Sequence, residues 1–93
     1  MSNEIKHEIR TLCYVCGLQY KDFLPWGEDG KTPSHSICSC CGTEWGYGDV
    51  LVEAVKKNRE KWIQGGAKWF EANAQPVNWL LEEQLNNIPP QYR

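Results

Sequence analysis

The hydrophobic pattern of the chain changes near residue 50, from irregular to helical. Residues 50–64, VLVEAVKKNREKWIQ, place apolar side chains on one face of a helix of about four turns. That stripe is formed by Leu51, Val55 and Trp62 and is broadened by Val52, Ala54 and Ile63. Asp49 is the predicted N-cap, and Gly65 and Gly66 are predicted to end the helix.

Two shorter helical segments are predicted after this helix. Residues 67–74, AKWFEANA, form the first, which ends before Pro76 because a residue that precedes proline avoids the helical region. Residues 77–88 form the second, with Leu81, Leu85 and Ile88 on one stripe. Residues 89–93 are predicted to be an extended tail.

Large aromatic residues are frequent in this helical half. We expect them to form the core shared by the helices, because such side chains bring much apolar area to a small domain. The residues are Trp62, Trp69, Phe70 and Trp79. Stacking of these rings on a ligand is the alternative.

The cysteines lie in the first half, in two short clusters. Cys13 and Cys16 in LCYVCG, and Cys38 and Cys41 in ICSCCG, are each separated by two residues and followed by a glycine. A C-x-x-C turn directs both sulfurs to one point, and the glycine supplies the positive φ that the turn needs. Cys40 falls outside this pattern, so its side chain is predicted to point away from the sulfurs, toward the helices or toward solvent.

Two such turns predict a closed tetrahedral site of the structural zinc type, held by Cys13, Cys16, Cys38 and Cys41. Iron in a rubredoxin-like cage is the alternative metal. Alternative ligand sets replace Cys38 with Cys40 or add His35, but adjacent Cys40 and Cys41 do not fit one C-x-x-C pair. Five cysteines also do not fit a pure disulfide framework, which would leave one thiol over.

The segment between the two turns is rich in turn-forming residues. WGEDGKTP, residues 26–33, contains Gly27, Asp29, Gly30 and Pro33, and a short strand is predicted for residues 34–37. Two placements are expected for Trp26. Its ring is either exposed as part of a contact surface or folded back over the metal site.

Length and composition fit one small folded domain. The chain has 93 residues, of which 41% are hydrophobic and 24% are charged. A chain of this size buries only a small core, so a bound metal would add much to its stability. The fold class is therefore small α+β, with a zinc-ribbon or rubredoxin-like module at residues 11–47 and two to three packed helices at 48–88. Residues 1–10 are expected to be a flexible tail, and residues 11–93 a single domain.

No signal-peptide core or run of about 18 apolar residues is present, so a cytoplasmic location is expected.

Three segments resemble the small bacterial cysteine-rich proteins of the CPCC type. They are ICSCCGTEWGYGD, PWGEDGKTPS before it, and KWIQGGAKWF with PVNWLLEEQLNNI after it, and the resemblance extends from Leu12 to Ile88. Ser39 departs from the type, which usually has proline there. Similar small proteins are neighbours of bacterial toxin genes, so the resemblance implies an immunity role.

The residues bear on three classes of function. No catalytic set at a recognisable spacing is present, which opposes an enzyme. Ten basic against twelve acidic side chains give a net charge of −2, which opposes a nucleic-acid-binding role. The basic run on the predicted helix, Lys56, Lys57, Arg59 and Lys61, is expected to be a solvated face.

A protein-binding module is therefore expected, in particular an immunity protein that blocks a toxin domain. Negative charge speeds the encounter with a basic partner, and a rigid scaffold loses little entropy on binding. A zinc-ribbon adaptor, a nucleic-acid-associated protein and an enzyme of another type are the alternatives. The predicted contact surface is an acidic and aromatic rim made of Trp26, Glu28, Asp29, Glu44 and Asp49.

Overall fold

The computed structural model describes residues 11–93 and contains two α-helices in that range. Helix α1 is Val52–Gln64 and helix α2 is Leu81–Leu85, and single 3₁₀ turns lie at Ala72–Ala74 and Pro90–Tyr92. No helix in the described part of the chain has the length and apolar character needed to cross a membrane. The flexible tail expected for residues 1–10 lies outside the described residues.

The cysteine half is built from two copies of one backbone turn. Cys13 N–H donates to Leu18 O and Gly17 N–H donates to Cys13 O, at 3.0 and 2.8 Å. The second turn repeats both bonds, from Cys38 to Thr43 and from Gly42 to Cys38, each at 2.9 Å. An antiparallel bridge closes each turn. The two bridges are Leu12 with Gln19 and Ile37 with Glu44.

These two bridges are all that residues 11–93 contain of the expected ribbon sheet. The strand predicted for residues 34–37 is therefore wrong, since only Ile37 pairs with another strand-like residue. The hydrogen bonds within the two turns already satisfy the backbone groups around the cysteines. A longer β-ladder is therefore not needed there.

Helix α1 begins later than predicted, and Asp49 is not its cap. Leu51 occupies the N-cap position and makes no side-chain capping bond. The carboxylate of Asp49 instead accepts hydrogen bonds from Trp26 Nε1 at 2.7 Å and from the Gly46 N–H at 2.8 Å. The predicted end is confirmed, because the helix stops at Gln64 and the Gly65 N–H bonds to Lys61 O at 3.0 Å.

The buried face of α1 is narrower and more polar than its sequence predicts. Val55 is fully buried, whereas Leu51, Val52 and Ile63 of the predicted stripe are exposed. The predicted solvated face is wrong for Arg59, which is half-buried and bonds to backbone carbonyls of the first turn.

Residues 67–71 do not form the helix predicted for 67–74. Ala67 has a φ of 52°, in the left-handed region, and the chain then runs beside the second cysteine turn. The Phe70 N–H donates to Cys40 O and the Glu71 N–H donates to Ser39 O, both at 2.9 Å. Because these bonds use the donors that a helix would need, helical structure is confined to Ala72–Ala74.

The C-terminal segment contains a shorter helix than predicted, and its end packs against the rest of the protein. Helix α2 covers Leu81–Leu85 of the predicted residues 77–88. The expected extended tail is a 3₁₀ turn, and Tyr92 stacks on Tyr14 with ring centroids 4.2 Å apart. The end of the chain is thereby held against the first cysteine turn.

The core centres on the cysteines and on Trp45, which is 1% exposed. Tyr20 and Phe23 pack on its ring, with centroids at 5.4 and 5.5 Å. Of the predicted aromatic core, Trp69 is buried and Trp62 and Trp79 are half-buried beside it. Phe70 is 60% exposed, so its assignment to the core is wrong.

Candidate metal centre

The structure brings the sulfurs of Cys13, Cys16, Cys38 and Cys41 within 4.8 Å of one another. The sulfurs of Cys13 and Cys41 are 3.7 Å apart, and those of Cys16 and Cys38 are also 3.7 Å apart. These separations are too long for a disulfide, whose S–S bond is about 2.0 Å. A tetrahedron with metal–sulfur bonds of about 2.3 Å has an edge of about 3.8 Å, so the four sulfurs fit a four-thiolate metal site.

A glycine in each turn allows this convergence. Gly17 and Gly42 have φ values of 84° and 78°, in the region that side chains with a Cβ rarely adopt. A Cβ at position 17 would overlap the carbonyl oxygen of Gln84, whereas one at position 42 would lie 3.1 Å from the ring of Phe70. The first turn is therefore packed against backbone and the second against a side chain.

Cys40 lies outside the four-sulfur group and is fully buried. Its sulfur accepts a hydrogen bond from Gln84 Nε2 at 3.3 Å, so it faces helix α2. His35 is exposed and is also outside the group. The structure thus gathers the four cysteines of the C-x-x-C-G pattern and neither of the alternative ligand sets.

Polar side chains of the helical half hold the first turn in place. Arg59 Nε donates to Val15 O at 2.8 Å and its Nη2 donates to Tyr14 O at 3.0 Å. Gln84 Nε2 donates to Cys16 O at 3.0 Å, and Asn87 Nδ2 donates to Gly17 O at 3.1 Å. These donors satisfy carbonyls between and after the first two cysteines.

Sequence reasoning missed Arg59 and Gln84 as supporting residues. Arg59 follows the buried Val55 by four residues and precedes Trp62 by three, so the three lie on one face of α1. Gln84 likewise follows Leu81 by three residues and precedes the buried Ile88 by four. A polar side chain on the inner stripe of a helix was the available signal.

Hydroxyl groups lie close to two of the sulfurs in the second turn. Tyr20 Oη donates to Cys38 Sγ at 3.4 Å, and its oxygen accepts a bond from the Ser39 N–H at 3.2 Å. In the second pair the Cys41 thiol donates to Thr43 Oγ1 at 3.2 Å. Donors to thiolate sulfur stabilise the charged form that binds a metal.

Four thiols at one point cannot all lose their protons without a cation among them. Hydrogen bonds from Cys13, Cys16 and Cys41 lower the pKa of Cys38 despite its burial. Burial raises the pKa of Cys13 well above its usual value. Burial and the close approach of the sulfurs thus oppose the loss of several protons, and a bound metal would supply the positive charge that stabilises the thiolates.

The four sulfurs differ in their access to solvent. Cys13, Cys16 and Cys38 are fully buried, whereas Cys41 is half-buried and lines a surface cleft of about 550 Å³. Lys61 and Trp62 of α1 line the same cleft. The site is therefore reached from the side of the second turn.

The predicted contact rim is only partly a surface. Glu28, Asp29 and Glu44 are exposed, and Glu44 lines the cleft beside Cys41. Asp49 is 5% exposed and lies in the wall of a small cavity, not on the open surface. Trp26 is half-buried, and it packs against the core and bonds to Asp49.

Asp29 stabilises its own loop. Its Oδ1 accepts hydrogen bonds from the N–H groups of Lys31 and Thr32 at 2.8 and 3.0 Å. These bonds lower the pKa of the Asp29 carboxyl, with the bond from Lys31 making the largest contribution. The acidic loop that follows Trp26 is therefore an ordered turn with its charge exposed.

Comparison with known proteins adds no relative. Neither the protein-family models, nor the curated proteins, nor the solved structures include a match to this chain. The resemblance to the CPCC type stays a prediction from the quoted segments.

Proposed function

We propose that this chain is a non-enzymatic protein-binding module whose fold depends on one structural zinc ion, and that it acts as an immunity protein against a toxin. The observation that carries the metal part is the convergence of the four sulfurs, with 3.7 Å between the sulfurs of two pairs. Cys13, Cys16, Cys38 and Cys41 would hold the ion.

Zinc is proposed over iron, and a structural role over a catalytic one. Zinc accepts four thiolates in tetrahedral geometry, and a catalytic zinc site normally keeps one position for water. Here the four converging cysteine sulfurs would supply the complete shell. When bound, the ion would link the two turns, in addition to the hydrogen bonds of Tyr20 and the packing around Trp45, and so would supply free energy for folding.

The protein-binding part rests on charge and on the resemblance. The net charge is −2, and four thiolates around a divalent ion would add two further negative charges. The exposed acidic side chains of Glu28, Asp29 and Glu44 would attract a basic partner. The quoted segments resemble a type of protein encoded beside toxin genes.

Metal analysis of the purified chain tests the first part. We expect about one zinc per chain by plasma mass spectrometry and loss of cooperative unfolding after chelation, because metal and fold are coupled in such sites. A strongly coloured protein with one iron per chain would contradict zinc while keeping the metal site. A folded chain with no metal would contradict both.

The immunity role is tested with the product of the adjacent gene. If that product arrests growth, co-expression of this chain is expected to restore growth, and the two purified proteins are expected to co-elute. Glu28→Lys with Glu44→Lys is expected to weaken the complex, whereas Glu82→Lys with Glu83→Lys on α2 makes the same change in net charge and is the matched control. Growth arrest without rescue, or capture of nucleic acid in place of a protein, would contradict the proposal.

A further inference from the structure

A second cavity lies away from the four sulfurs, between the first cysteine turn, the loop that follows Trp26 and the start of α1. Its volume is about 180 Å³, below the range of about 300–1,000 Å³ typical of drug-sized ligands. Its lining includes Tyr14, Trp26, Asp49 and Tyr92, with Val50 and Val52 at the helix. The cavity has room for a small group such as a side-chain terminus.

Two of its walls are aromatic and half-buried. Tyr14 and Tyr92 stack with ring centroids 4.2 Å apart and planes 5° from parallel, so together they form one wall. Trp26 is the second wall, and its indole N–H points to Asp49 Oδ2 at 2.7 Å, which fixes the ring. Aromatic faces attract cations through their negative quadrupole, and tryptophan does so most strongly.

The third wall carries a buried carboxylate. Asp49 is 5% exposed, and its two oxygens each accept one N–H bond, from Trp26 and from Gly46. No lysine or arginine within residues 11–93 forms an ion pair with it. A buried carboxylate without a counter-ion is costly, and a bound cation would offset that cost.

We propose that this cavity is an aromatic cage that binds an alkylammonium group, either of a free amine or of a lysine or methyl-lysine side chain in a protein partner. Aromatic rings with one carboxylate are complementary to a cation that also has apolar surface. An anion would be repelled by Asp49. A bare Ca²⁺ or Mg²⁺ would lack ligands, since one carboxylate falls far short of the six or more oxygens that such ions take.

The site is independent of the metal centre and of the immunity role. Its ligand would contact rings and a carboxylate, and none of the four cysteines of the metal centre lines the cavity. Loss of ammonium binding with full metal content would therefore contradict this site alone.

The test titrates the metal-loaded full chain with choline and with its uncharged isostere 3,3-dimethyl-1-butanol. Binding is followed by calorimetry and by the indole N–H signal of Trp26 in a ¹H–¹⁵N spectrum. We expect choline to bind at least about tenfold more tightly than the isostere and to shift that signal. Equal affinity for the two compounds, or no binding of choline, would overturn the proposal.

Two variants locate the binding. Tyr92→Leu removes one ring near the chain end, and Asp49→Asn removes the charge at constant size; each is expected to weaken choline binding about tenfold or more. Tyr47→Leu is the control, because Tyr47 is 82% exposed and lines the other cleft. Metal content verifies folding, and if Asp49→Asn fails that check, Tyr92→Leu decides. Unchanged affinity in a folded Tyr92→Leu would overturn the cage.

The two sources of the cation are separated with a peptide. A short peptide with one trimethyl-lysine is compared with choline and with the same peptide carrying norleucine in that position. Tighter binding of the trimethyl-lysine peptide than of choline supports a protein side chain, and tighter binding of choline supports a free amine. Equal binding of the norleucine and trimethyl-lysine peptides contradicts recognition of charge.

Discussion

The two cysteine turns have the same backbone but different surroundings. Both cysteines of the first turn are fully buried, and Arg59, Gln84 and Asn87 bond to its carbonyls. In the second turn Cys41 is half-buried beside a cleft, and the bonds come from the backbone of residues 70–71. The same local sequence therefore makes an anchored turn in one place and an accessible turn in the other.

The two turns therefore share their role in metal binding and differ in how they are held in the fold. Both supply two sulfurs to one point, so the metal is expected to need them equally. The surroundings should instead decide how far each turn tolerates change and from which side the metal leaves.

The largest effect is expected from removal of a ligand in either turn. Cys13→Ala and Cys41→Ala should each abolish stoichiometric zinc and cooperative unfolding, because metal binding in such sites is worth on the order of 10 kcal/mol. Cys40→Ala is the control, and it should keep one zinc per chain despite losing its contact with Gln84. Metal analysis with thermal unfolding gives the result, and full zinc in Cys41→Ala would show that the turns are not equivalent in ligation.

The glycines provide the sharpest test of the difference between the turns. Gly17→Ala should destabilise by about 3 kcal/mol or more, because positive φ alone costs about 1–2 kcal/mol and its Cβ would also overlap Gln84 O. Gly42→Ala should cost only about 1–2 kcal/mol, since the exposed ring of Phe70 can move. Urea unfolding of the metal-loaded variants measures both, and equal losses would contradict the proposed difference.

Removal of the arginine that anchors the first turn should have the next largest effect. Arg59→Met leaves the carbonyls of Tyr14 and Val15 without their donor and should cost about 2 kcal/mol. Lys57→Met on the exposed face of α1 is the matched control, with a change within about 0.5 kcal/mol. Equal stability of the two variants in urea would show that Arg59 does not anchor the turn.

The smallest effect is expected at the accessible turn. Thr43→Val keeps the shape of a buried side chain and removes the hydroxyl 3.2 Å from Cys41 Sγ, so it should cost about 1 kcal/mol or less. It should nevertheless speed the transfer of zinc to an excess of chelator. Leu18→Val, at the equivalent position of the first turn, should leave the rate of zinc transfer unchanged. Faster transfer from that variant would show that zinc leaves past the first turn, which would contradict the account.

Local chemistry made the turns predictable from the sequence. The repeated C-x-x-C-G spacing identified the four converging cysteines and the two glycines with positive φ, and Gly65 marked the end of α1. Each of these features depends on residues that are close in the chain. For the same reason, Cys40 could be separated from the group by spacing alone.

Long-range hydrogen bonds explain what the sequence could not predict. Asp49 was predicted to cap α1, but its carboxylate accepts a hydrogen bond from Trp26 instead. Residues 70 and 71 were predicted to be helical, but their backbone N–H groups bond to the second turn. The inner stripe of α1 was expected to be apolar, yet it includes Arg59 because carbonyls of the first turn need donors. Trp45 gave no periodic signal, and it is buried because the two turns meet around it.

X-ray absorption at the zinc edge tests the central claim most directly. The purified full chain should show four sulfur neighbours at about 2.3 Å and no nitrogen or oxygen neighbour, and Cys40→Ala should give the same spectrum. A shell that contains nitrogen or oxygen, or one that changes in Cys40→Ala, would contradict a closed site made by Cys13, Cys16, Cys38 and Cys41.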